Sequence, residues 1–462
     1  MDIYSGTIDF RTTAGAPIND VIINGNTHFI GGSFFTSANG NPRNLQLGGL
    51  LNYFSSASTR TDFGIGVSAM LSVTLLVQPT AVVAAQTMTG NLVTTVWPGN
   101  LTVNNTTGLV PAVTFSGGNF RVLGDVTFQA ATGKVKIDEC YLFVGGQIAP
   151  YAGAGNFTNN TGYITSEHGF VSMNGNANQT VSGGGTFENF EVDVYSNSCN
   201  ITGTFTAKFG LASGTVTGGA AIHLNNATKP PIIIRNTGLF SAAPTFDTDV
   251  DVIYIGSDKT AALELTAGNP GTDKLRNLTI ATVNGTNVPG QGVVRVDAAV
   301  GDFNVKGVLT VNSGQALLLD GVKLYMYGDS IYLNGDIANH NGWPTDYLVL
   351  NSSTGTVITG SGLLPDVEVA DGSVGNVING SRGLITQLLG ADKLRGGGDD
   401  FDPTAFQANA RLGFDLGANP DTLRVAFGPG YGRYGTHFGD LYLNDASNVL
   451  ILDADVVQAG FM

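Results

Sequence analysis

Four short segments of this chain share one pattern: Asn100-Leu-Thr-Val103, Asn189-Phe-Glu-Val192, Asn277-Leu-Thr-Ile280 and Asp366-Val-Glu-Val369. Their last residues fall at 103, 192, 280 and 369, so the pattern recurs at spacings of 89, 88 and 89 residues. A fixed period of this kind constrains the fold more than any single motif, because each copy must be one supersecondary unit stacked or strung beside the next. The likeness extends outward. Residues 170–192 align without a gap to 347–369, bringing Val181 onto Ile358, Gly183 onto Gly360, Gly185 onto Gly362 and Phe187 onto Leu364. The first copy carries Gln86-Thr-Met-Thr-Gly90 where the second has Gln179-Thr-Val-Ser-Gly183, and the third keeps an approach strand, Val252-Ile-Tyr-Ile-Gly256. A second unit recurs as Val122-Leu-Gly-Asp-Val-Thr-Phe128, Ile201-Thr-Gly-Thr-Phe-Thr-Ala207 and Val305-Lys-Gly-Val-Leu-Thr-Val311, at variable distance from the first.

Each position has a physical reading. Leu101 and Val103 alternate with Thr102, the period of two that puts apolar side chains on one strand face and polar ones on the other. Asn or Asp at the head of each strand suits a turn, where its side chain bonds nearby backbone. By the same alternation Val192 and Val369 face inward, and Glu191 and Glu368 face outward.

Composition narrows the class. Glycine is 65 of 462 residues, 42% are hydrophobic and only 12% are charged. Helical bundles, collagen and disorder each need a different mix, so an all-β chain of many short strands and tight turns is expected. Two architectures accommodate an 89-residue repeat. A parallel β-solenoid with coils of about 22 residues, roughly four to a repeat, is preferred. The alternative is a string of four β-sandwich domains of ordinary size. We divide the chain into an N-terminal β region (1–75), the repeat region (76–381) and a C-terminal β-rich region (382–462). In the last, Asp402 before Pro403 reads as the start of a short helix over 403–411.

The repeat resembles those of large secreted bacterial surface proteins and adhesins. There a strand, a Gln-Thr-Val/Ile-Ser-Gly turn and a Phe-x-Asn-Leu-x-Val/Ile strand recur. Gln179-Thr-Val-Ser-Gly183 and Phe187-Glu-Asn-Phe-Glu-Val192 carry the likeness, which covers roughly residues 80 to 370. Phage fibre and tail proteins are similar in composition. The resemblance implies a structural or adhesive protein and says little about ligand.

The formal net charge of −15 and the absence of any basic run argue against nucleic acid as a partner. The uncharged stretch Phe63 to Phe120 is broken by Gln78, Pro79 and Thr80, so it reads as strands rather than a membrane span. The first residues show no basic patch followed by an apolar core, so no secretory signal is expected. Cys140 and Cys199 are too few for a disulfide framework and are read as free, half-buried thiols.

Chemistry is sparse. Glu188, Glu191 and Asp193 form the most tempting carboxylate cluster for glycoside cleavage, yet Glu191 occupies the outward slot held by Thr102, Thr279 and Glu368. Asp138-Glu139 is an isolated pair beside Cys140. Asp247, Asp249 and Asp251 have the spacing that opens a calcium loop, but Val252 stands where its glycine belongs. Asp399, Asp400 and Asp402 form a second acidic loop. His28, His168, His223, His340 and His437 show no ligand spacing. Sequons such as Asn100-Leu-Thr are cheap in an Asn/Thr-rich chain.

No catalytic, cofactor-binding or metal-ligating residue is therefore assigned, no cofactor is expected, and the chain is read as non-enzymatic. The expected function is a structural or adhesive fibre protein, foremost a phage tail or head fibre located in the virion. A bacterial cell-surface adhesin is the alternative and a polysaccharide depolymerase the second. Expected partners are further copies of the chain, as a homotrimer, with other virion proteins or host surface glycans. Neither nucleic acid nor membrane is expected.

Overall fold

The computed structural model describes side chains over residues 100–103 and 109–360, apart from 130–132, 148–151, 283–291, 339–345 and 347, and at 362 and 365. Elsewhere it describes only the course of strands. The possible helix over 403–411 and the acidic loop at Asp399, Asp400 and Asp402 lie outside the described residues. The chain divides into two compact units, Met1–Pro231 with Gly238–Asp247, and Ile232–Thr237 with Thr248–Met462.

Both units are built the same way, as parallel β-solenoid. In the first, successive coils contribute strands to three columns. Val113–Ser116, Phe120–Val122 and Val126–Phe128 are followed by Val135–Ile137, Tyr141–Val144 and Phe157–Asn159, then by Tyr163–Thr165, Phe170–Met173 and Gln179–Ser182. Each strand pairs in parallel with its counterpart one coil on. The second unit repeats the scheme with Gly292–Asp297, Phe303–Val305 and Val308–Val311, stacked under Gln315–Asp320, Lys323–Met326 and Ser330–Leu333. A string of sandwiches requires antiparallel sheets, so that alternative is excluded.

The uncharged stretch enters this ladder as strands, as expected. Arg43–Leu47 pairs with Leu71–Leu76, which pairs with Asn100–Asn104.

The repeat has a simple structural meaning. Each copy is one coil, whose opening and closing strands pair directly: Leu75 with Val103, Met173 with Val192, Tyr254 with Ile280, and Leu350 with Val369. The coil lengths differ from the uniform 22 residues expected. Val171 and Phe190 are partners 19 residues apart, whereas Leu278 and Leu309 are 31 apart. The reason is that loops at the corners vary while strands do not. Nor is 89 residues a whole number of coils. In the first unit Val103 lies in the third column, on Phe128, and Val192 lies in the second, on Met173. In the second unit Ile280 and Val369 make the same shift, from the column of Val311 to that of Leu350. An 89-residue step thus stops one strand short of completing its last coil.

Alternation decides what fills the interior. Strand Phe190–Ile201 begins with Phe190, Val192 and Val194 buried and Glu191 and Asp193 half-exposed between them. Inside the first unit the buried rings form a spine from coil to coil: Phe128 to Phe157 at 5.1 Å, Phe157 to Phe187 at 5.8 Å, Phe187 to Phe205 at 4.8 Å and Phe205 to Phe209 at 4.6 Å. The second unit is filled by an aliphatic ladder, with Val252, Leu278, Leu309, Ile331 and Ile358 all fully buried. It also holds a buried ion pair. Arg235 donates to Glu264 at 2.9 Å, and the Tyr254 hydroxyl donates to the other oxygen of Glu264 at 2.9 Å. The short 3-10 helix Leu263–Gly268 carries Glu264 into this position.

Two repeat features change on inspection. Gln179 to Ser182 is a strand and not a turn; Gly183 makes the turn. Gly183 has φ 119 and Gly360 has φ 127, and a Cβ on either would lie 2.1 Å or 2.0 Å from a carbonyl oxygen of the previous coil. Only glycine fits there. Gln179 itself is buried, accepting from Gly175 N–H at 2.8 Å and donating to the carbonyls of Val144 and Gly155.

Candidate functional site

The outer face of the second column in the first unit collects the polar and aromatic side chains that the interior does not use. Register places Arg121, Phe143, Ser172, Glu191 and Gly210 in one line across five successive coils, with Tyr141 on Phe170 beside it. Tyr141 is near-parallel to Phe143 and to Phe170, with centroids 5.3 Å apart in each pair. Arg121 caps Phe143 at 4.6 Å and the Lys208 ammonium lies 5.7 Å from the Phe170 centroid. The result is a ladder of three rings closed by two cations, each contact an attraction of the cation for the ring quadrupole.

A hydrogen-bond chain runs beside the rings. Arg121 donates to the Gly145 carbonyl at 3.0 Å and to Asn174 Oδ1 at 2.7 Å. Asn174 donates to Asp193 Oδ2 at 2.9 Å, and Ser213 donates to Asp193 Oδ1 at 2.6 Å. Gln147 donates to the Asp193 carbonyl. Ser172 donates to Glu191 Oε1 at 2.8 Å. Burial pushes the Glu191 carboxyl above the ordinary glutamate range; the Ser172 bond opposes this and the Asp193 charge adds to it. Tyr141 is likewise raised, first by burial and then by the charge of Glu191. Burial lowers Arg121, and the Asp193 charge opposes that shift.

The strand past Asp193 turns through Tyr195, whose backbone is left-handed at φ 52 and whose ring is 63% exposed. Its N–H donates to Ser213 Oγ at 2.7 Å. One hydroxyl therefore fixes both the Tyr195 backbone and the Asp193 carboxylate. Glu191, Asp193 and Tyr195 follow the strand alternation and point to the same outer side.

Of the carboxylates singled out from sequence, Glu188 stands apart from this face, accepting from Thr165 N–H at 2.6 Å and from its hydroxyl at 3.1 Å. Asp138 pairs with Lys136 at 2.9 Å, and Glu139 sits in a left-handed turn at φ 50 with its N–H on Ser166. The calcium-like triplet is divided among separate partners. Asp247 meets His223 at 2.9 Å, Asp249 meets Lys306 at 2.9 Å, and Asp251 takes Arg276 through both oxygens, at 2.9 Å and 2.6 Å. Only Asp251 lies on strand Val250–Gly256, so the three do not share a strand face. Among the described residues no group of three or more His, Cys, Asp or Glu side chains is placed to hold a metal ion.

His168 is exposed, His28 lies in strand Thr27–Phe29, and His340 and His437 lie outside the described residues. Cys140 and Cys199 are free, as read from sequence, but fully buried rather than half-buried, at 2% and 0% exposure. Burial pushes both thiols up to about 12, which leaves them unreactive. Among the described residues no helix is long and apolar enough to cross a membrane.

The aromatic ladder and Tyr195 were not found from sequence. In Tyr141-Leu-Phe-Val144 both alternating sets are apolar, so the pattern does not say which faces out.

No protein family, curated protein or solved structure matches this chain.

Proposed function

We propose that this chain is a non-enzymatic structural and adhesive fibre protein, a tail or head fibre of a phage virion that assembles as a homotrimer. The observation that carries this reading is the use made of polar side chains. At the coil corners Asn100, Asp125 and Asn156 each accept a backbone N–H one coil on, at 2.8, 2.7 and 2.8 Å. On the outer face, Asp193 is held at both oxygens and Glu188 by Thr165. Polar groups committed to stacking and to holding one another suit a scaffold with a display surface. The acidic charge and the uncharged stretch Phe63 to Phe120 favour packing against protein copies over nucleic acid.

A bacterial surface adhesin is the second reading, favoured by Gln179-Thr-Val-Ser-Gly183 and Phe187-Glu-Asn-Phe-Glu-Val192. The raised carboxyl of Glu191 beside Asp193 is the observation that favours a depolymerase.

Labelling with antibody against the purified protein separates the three. Label on released particles supports the fibre. Label confined to the cell envelope replaces it with the adhesin. New reducing or unsaturated ends on host polysaccharide replace it with the depolymerase. Light scattering tests the assembly: the mass of three chains is expected, and a constant single-chain mass on concentration contradicts it.

A further inference from the structure

We infer that the outer face carrying Glu191, Asp193 and Tyr195 is a binding subsite for a neutral oligosaccharide. This rests on the adhesive reading above and names the ligand class and the residues that take it. Glu191 Oε1 is bonded to Ser172, whereas Oε2 accepts no hydrogen bond among the described residues. A half-buried carboxylate oxygen without a donor is a strong acceptor waiting for one, and a sugar hydroxyl supplies it. Along the same strand, about 7 Å per two-residue step, stand Asp193 and then Tyr195. At 63% exposure Tyr195 is the most exposed large hydrophobic side chain of the described residues, and its aromatic surface suits the C–H face of a pyranose.

The supporting shell is fixed before any ligand arrives. Ser213 holds both the Tyr195 N–H and Asp193, and Asn174 ties Asp193 to Arg121. Pre-organisation of this kind lowers the cost of binding. Gly210, one coil on from Glu191, adds no side chain over the carboxylate. The charges select the ligand: Arg121 and Lys208 balance Glu191 and Asp193, so neither an acidic polysaccharide nor a cation is favoured over a neutral sugar.

The test is a panel of neutral and acidic oligosaccharides titrated calorimetrically against the full chain and three variants: Tyr195→Ala, Glu191→Gln and Tyr332→Ala. Glu191→Gln keeps the acceptor for Ser172, and Tyr332, 48% exposed, controls for loss of any surface ring. Neutral oligosaccharides are expected to bind the parent chain. Affinity should fall about tenfold or more with Tyr195→Ala and with Glu191→Gln, and stay within twofold with Tyr332→Ala, all variants melting cooperatively. Neutral sugar bound equally by all variants overturns the site and leaves the adhesive reading standing. No neutral sugar bound, with antibody label still on particles, overturns the sugar inference and leaves the fibre reading standing.

Discussion

Asn277 Oδ1 accepts the backbone N–H of Val308 at 2.8 Å, a bond between adjacent coils that sits at the head of a repeat strand. The same role falls to Asn100 on Asp125, at 2.8 Å, in the first unit. Each coil thus offers a side-chain acceptor to the next at a corner, where the strand ladder gives none. Asn277→Ala leaves that N–H without its partner and should cost about 1–2 kcal/mol in denaturant melts. Asn277→Asp, which keeps an oxygen, should recover most of it.

Glycine at the end of the repeat strand is required by geometry. Gly183→Ala places a Cβ 2.1 Å from the Asn159 carbonyl at a left-handed backbone, whereas the neighbouring Gly184 has no atom within 4 Å of that position. Gly183→Ala should destabilise by several kcal/mol, and Gly184→Ala should fall within about 0.5 kcal/mol of the parent. Comparable losses from both would show that the close approach to Asn159 is not the cause.

The interior spine of the first unit makes a third expectation. Phe205 packs against Phe187 at 4.8 Å and Phe209 at 4.6 Å and is fully buried. Phe205→Ala should cost about 3–5 kcal/mol; Phe205→Leu, which keeps most of the volume, should cost clearly less.

Much of this was legible in the sequence, for a definite reason. Alternation in Leu101-Thr-Val103 and Phe190-Glu-Val192 reports directly which side chains are interior, and the buried Val103 and Val192 bear it out. The repeat glycines reported a backbone need, and Gly183 and Gly360 have it. Coil length was not legible, because the period belongs to the motif and the number of coils within it depends on corner loops. The partners of Asp247, Asp249 and Asp251 were equally hidden, since a spacing along the chain does not reveal what the adjacent coil brings. Arg276 and Lys306 came from later coils. The outer aromatic ladder escaped because Tyr141 and Phe143 alternate with Leu142 and Val144, all four apolar.

Lys259 supplies a dependence on pH. Burial, and then the charge of Arg235, lower its ammonium from 10.5 to about 8. Between those values the unfolded chain binds more protons than the folded one, so stability should rise with pH from about 8 to 10.5. Lys259→Met should flatten that rise in melts taken across the window. A rise of equal size in the variant would assign it to another group.

Stacking of parallel coils in this register is the premise of every reading above, and paired cysteines test it most directly. Thr127 and Thr158 are register partners in adjacent coils of the first unit, both partly exposed. Thr158 is in turn the partner of Ser182. Neighbouring strands lie about 4.8 Å apart, within the Cα separation a disulfide accepts, whereas two coils exceed it. Under mild oxidation the Thr127→Cys, Thr158→Cys pair should close, while Thr127→Cys with Ser182→Cys stays open; Cys140 and Cys199 are buried and should not compete. Mass spectrometry of the digested chain reads the result. An open first pair, or a closed second pair, would contradict the solenoid register and with it the placement of Glu191, Asp193 and Tyr195 on one outer face.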